Sequence, residues 1–124
     1  MTGRTALIVA ALLACLAVAL GAFGAHALKN RIAPDLQAIW QTAVQYHGWH
    51  ALGLFGVGLL MLHFPDRTGL GLAAWCFISG IALFSGSLYA LALTANKSLG
   101  AITPFGGILF LIGWIVVAWA VAKG

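Results

Sequence analysis

Polar side chains gather at one place in this sequence, Pro34 to His50, which reads P-D-L-Q-A-I-W-Q-T-A-V-Q-Y-H-G-W-H. On a helix, Gln37, Gln41 and Gln45 fall four apart and form one stripe, continued by Gly48. Tyr46 and His50 are also four apart, with His47 three before His50, so these three occupy a second arc on a different side. If that arc faces a cavity, its chemistry is the handling of protons or of a small solute, with His26 as a further group near its upper end. Metal or haem is a weaker reading. His47 and His50 have helical ligand spacing but no acid or Cys beside them, and the later segments offer no opposing His for a haem. No metal and no cofactor is therefore implied. With no nucleophile paired to a base, an enzyme is not expected either.

A structural role stands beside these. An unpaired polar group in hydrocarbon costs several kcal/mol, whereas a completed interhelical hydrogen bond stabilises by only about 0.6 to 2 kcal/mol. The residues thus demand partners more than they contribute stability. On this reading the glutamines face interfacial water, and Tyr46 and His50 bond to hydroxyls of later helices.

Apolar residues make up 63 % of the 124 and charged ones only 6 %, so water is not the main solvent and the chain reads as an integral membrane protein. Its length allows one domain, residues 1–124, with four transmembrane helices in an antiparallel, all-α bundle. The spans are expected at about 6–28, 36–64, 69–95 and 103–122. Arg4, the apolar run and A-H-A at Ala25 to Ala27 resemble a signal peptide, and L-L-A-C ending at Cys15 resembles a lipoprotein box, but 23 residues from Ala6 to Leu28 suffice for a span. Pro34 to Phe64 would make a second helix of about 46 Å, longer than the ~30 Å hydrocarbon core. It is expected to project, or to bend near Gly48, with Trp40 as an interfacial anchor. Thr103 is expected to cap the last helix ahead of Pro104.

Small residues at Ala10, Ala14, Ala17, Gly21 and Gly24 line one face of the first segment, and Gly80, Gly106 and Gly113 recur in the third and fourth. Such faces let helix backbones approach closely, within the bundle or between molecules. The six Lys and Arg are scattered singly, which argues against nucleic acid. Counting them assigns no orientation. Arg4, Arg67 and Lys123 fall on the side of both termini, and Lys29, Arg31 and Lys97 on the other. In a hairpin centred near residue 32, His26 lies about 13 Å above His47 and His50, which disfavours one ion held by all three.

G-A-F-G-A-H at Gly21 to His26, W-Q-T-x-x-x-Y-x-x-x-H at Trp40 to His50, F-S-G-S-L-Y at Phe84 to Tyr89, and T-P-x-G-G with a later G-W at Thr103 to Trp114 resemble the YgdD/YwdK family of small inner-membrane proteins. The resemblance covers almost the whole chain. It implies four helices and a bacterial cytoplasmic membrane but no reaction. It matches His26, Tyr46 and His50, and moves the expected site toward those three and away from His47. The function favoured is a non-enzymatic packing or assembly protein that binds lipid, its own copies or other membrane proteins. The alternative is a small transporter or proton-coupled carrier using a cavity at Tyr46 and His50.

Overall fold

The computed structural model describes residues 1–123, and every regular element among them is helical. Four helices carry the chain: α1, Gly3–His26; α2, Pro34–His63; α3, Leu70–Thr94; and α4, Thr103–Ala122. Their starts have local causes. The Thr2 hydroxyl caps α1 by accepting from the Thr5 N–H at 3.1 Å. Pro34, with its fixed φ and missing N–H, opens α2, and Asp35 opposes the positive end of that helix. Thr103 is the first residue of α4 rather than its cap, and its hydroxyl meets Ser87 in α3 at 2.6 Å. Tertiary contact has taken the side chain that local capping would use.

α2 is over-long as expected, 30 residues or about 45 Å. It stays helical through Gly48. The irregular backbone lies in α3 instead, where Ile81–Ser85 form a π turn. There Gly106 of α4 lies so close to the Phe84 backbone nitrogen that no Cβ would fit between them. The wide turn leaves Ser85 fully buried and donating to the Ala43 carbonyl of α2 at 2.7 Å.

α1 lies antiparallel on α2: Gly3 meets Gly58 at one end, and Gly24 meets the Trp40 indole at the other. α4 lies antiparallel on α3, with Gly80 against Phe110 and Gly113 against Phe77. α2 and α3 pack together between them, around Leu54, Val57, Ala73 and Phe77. The small-residue faces are thus largely occupied by the chain's own helices. Ala10, Ala17, Gly24, Gly80, Gly106 and Gly113 are all buried, while Ala14 and Gly21 are half-buried. Outward, the helices present large apolar side chains such as Leu12, Val18, Leu111 and Ile115, a surface suited to hydrocarbon.

Three helices are long and apolar enough to cross a membrane: Gly3–His26, Leu70–Thr94, and Lys97–Ala122, which is α4 with its leading turn. α2 is not among them: its stretch from Pro34 to His50 carries Asp35, three Gln and two His.

Candidate functional site

The continuous helix of α2 carries the polar stretch past all three other helices. Toward α1, Gln37 Nε2 donates to the Gly24 carbonyl at 2.7 Å, and the Trp40 indole N–H donates to the Leu20 carbonyl at 2.9 Å. Trp40 is only 2 % exposed, so it is an interhelical tie and not the interfacial anchor its residue type suggested. Toward α3, His47 Nδ1 shares a hydrogen bond of 2.8 Å with the Tyr89 hydroxyl. Toward α4, His50 meets Trp114.

His50 has both ring nitrogens engaged. Nδ1 lies 2.8 Å from the Tyr46 carbonyl, an acceptor, and Nε2 lies 3.0 Å from the Trp114 indole N–H, a donor. These partners fix a neutral ring with its hydrogen on Nδ1. The ring also stacks on Phe110 at 3.5 Å between centroids and meets Phe77 edge-on. Tyr46 contributes its carbonyl and the side of this aromatic cluster, packing on Phe84 at 4.6 Å. None of the five described recesses is lined by Tyr46, His47 or His50.

The expected trio is therefore divided. His26 is exposed at the end of α1, while Tyr46 and His50 share the cluster on α2. His47, which the family resemblance set aside, is 1 % exposed and joined to Tyr89. Its Nε2 is covered and has no partner among the described residues; the Leu13 backbone lies beside the ring without completing a hydrogen bond. Gln41 and Gln45 are exposed on the outer side of α2, and Gln37 is half-buried. No group of three metal-ligating side chains occurs among the described residues.

Tyr89, Trp114, Ser85 and Phe110 are the partners that reading the polar stretch alone did not supply. A signal was present for two of them: a Tyr or Trp inside an apolar helix needs somewhere to place its O–H or N–H. The motifs at Phe84 to Tyr89 and Thr103 to Trp114 consist largely of these partners and of the glycines beside them.

Fold and site together define a helical membrane protein whose buried polar residues tie its helices to one another. The chain belongs to the family described as "Protein of unknown function (DUF423)", whose model matches residues 20–107. Among its relatives, the "UPF0382 membrane protein YwdK" of Bacillus subtilis is 48 % identical over 117 residues, covering 94 % of this chain and 95 % of that one. A "UPF0382 membrane protein" of Staphylococcus epidermidis is 45 % identical over 119 residues, 94 % of each chain. The Staphylococcus saprophyticus protein of the same description is 42 % identical over 113 residues, 90 % of this chain and 91 % of its own. No solved structure matches the chain.

Proposed function

We propose that this protein is a four-span, non-enzymatic component of the cytoplasmic membrane that works through its lipid-facing surface, binding lipid or neighbouring membrane proteins. The observation that carries this reading is His50: its two nitrogens are taken by Tyr46 and Trp114, and its ring by Phe110, which leaves His50 itself no free nitrogen for passing a proton. The four-span arrangement draws support from the chain path. α1 and α3 run the same way, each antiparallel to α2, so α2 has to return the chain across the membrane between them. Both termini then lie on one side.

The test is flux in proteoliposomes across a panel of solutes and under a pH gradient, for the wild type and His50→Ala. Leakage equal to that of empty liposomes for both proteins is expected. Flux in the wild type that His50→Ala abolishes would overturn the reading. One observation favours the alternative of a proton-coupled carrier, the unpartnered Nε2 of buried His47 beside Tyr89. His47→Leu in the same assay separates the two, since a carrier loses flux and a structural residue changes only stability.

A further inference from the structure

Gln41 and Gln45 are the part of the polar stretch that the helix ties leave unused. Gln37 and Gln41 line a recess of about 660 Å³ with Lys29 and Asn30, at the end where α1 gives way to α2. One turn further along α2, Gln45, Gly48 and Leu52 line a second recess of about 630 Å³ with Ala14, Val18 and Gly21 of α1. The two share their stripes. On α2 the lining runs 37, 41, 45, 48, 52, and on α1 it runs 25, 22, 18, 14, each in steps of three or four, with Lys29 in the turn beyond α1. They lie end to end along the α1–α2 seam. From Gln37 to Leu52 they extend about 22 Å at 1.5 Å per residue, more than half of the ~30 Å hydrocarbon core.

The seam changes character along its length. Its deep part is apolar and shallow-floored by Ala17, Gly21 and Gly48, none of which fills it. Its upper part has an exposed ammonium at Lys29 and the exposed amide of Gln41. A cation beside an exposed amide, which can donate as well as accept, suits a phosphate headgroup. A second helix would place apolar side chains against that amide and strand it; an amphiphile matches both ends.

We infer that the α1–α2 seam is a phospholipid-binding groove, with the phosphate headgroup at Lys29 and Gln41 and one acyl chain over Gly48. The inference rests on the reading of the outer surface as the working surface and names its ligand class. Gly48→Leu fills the groove from its floor, where the nearest atom to a new Cβ is Ala17 Cβ at 4.0 Å. Val18→Phe, at a position 74 % exposed, blocks it from the rim should Gly48→Leu fail to fold. Gly56→Leu, with nothing within 4 Å, is the control beyond the end of the groove, in the recess that α2 forms with Trp114.

The experiment is native mass spectrometry of the full chain after incubation with phosphatidylglycerol or phosphatidylethanolamine, against diacylglycerol and inorganic phosphate, with helicity and oligomeric state checked for each variant. Wild type and Gly56→Leu are expected to retain one phospholipid, and the groove-filling variant at least about tenfold less. Lys29→Gln is expected to weaken retention about fivefold, the equivalent of roughly 1 kcal/mol for one cation near the membrane surface. Equal retention of diacylglycerol, undiminished retention in a folded groove-filling variant, binding of free phosphate alone, or a lipid-free dimer that Gly48→Leu converts to monomer would each overturn the inference. Flux is independent of this outcome, so failure here and failure of the functional reading are told apart.

Discussion

His50 and His47 differ in a way that their shared helix and near-equal burial conceal. His50 is complete: each nitrogen has a partner of the right kind, and the ring lies flat on Phe110. His47 is half-complete, with Tyr89 on Nδ1 and nothing on Nε2. Replacing Tyr89 with Phe removes the one partner His47 has and leaves a buried ring with two unmet nitrogens. The expected loss is about 1–3 kcal/mol of unfolding stability, measured by denaturation in lipid or detergent, with His47→Leu/Tyr89→Phe recovering part of it. That Tyr46, His47 and His50 lie on an arc facing the bundle was legible from their spacing alone. Which residues receive them was not, because the partners lie 42 and 64 positions away on other helices and their pairing follows from helix register.

At the scale of the helices, glycines set how closely the elements approach. Gly106 has the Phe84 backbone where its Cβ would be, and backbone cannot rotate aside as a side chain does. Gly106→Ala is expected to push α4 off the π turn and lower stability by about 1–3 kcal/mol. Gly107→Ala, whose nearest neighbour is the Phe84 ring at 3.8 Å, is expected to change it by less than about 0.5 kcal/mol. Ala95 ends α3 with φ +57°, a left-handed conformation that opposes an L side chain. Ala95→Gly is expected to raise stability by about 0.5–1 kcal/mol, read as a higher melting temperature. The four helices could be read from apolar length, from Pro34 and Pro104, and from the short turns between them. The π turn could not: nothing in I-A-L-F-S marks it locally, and it arises where α3 meets Gly106 and Ala43 at once. Residues on both sides of Gly48 are held to α3 and α4, by His47 and His50.

For the whole molecule, the small-residue faces suggested association between copies, and the fold uses most of them internally. Gly113→Leu should therefore unfold the protein, since Phe77 already occupies the space a side chain would need. The four-span arrangement has its own check. With Cys15 and Cys76 replaced by Ala, single cysteines at Thr2 and Thr68 are expected to react with an impermeant thiol reagent from one side of sealed vesicles, and those at Asn30 and Asn96 from the other. Labelling of Asn30 and Thr68 from the same side would mean that α2 does not cross. The central claim is that the polar stretch of α2 serves as a set of ties between helices. Its most direct test is the coupling energy between His50→Phe and Trp114→Phe in a double-mutant cycle of unfolding in lipid. The two variants are expected to be coupled by about 0.6–1.7 kcal/mol, the range of membrane interhelical hydrogen bonds. Additive effects, with no coupling, would contradict it.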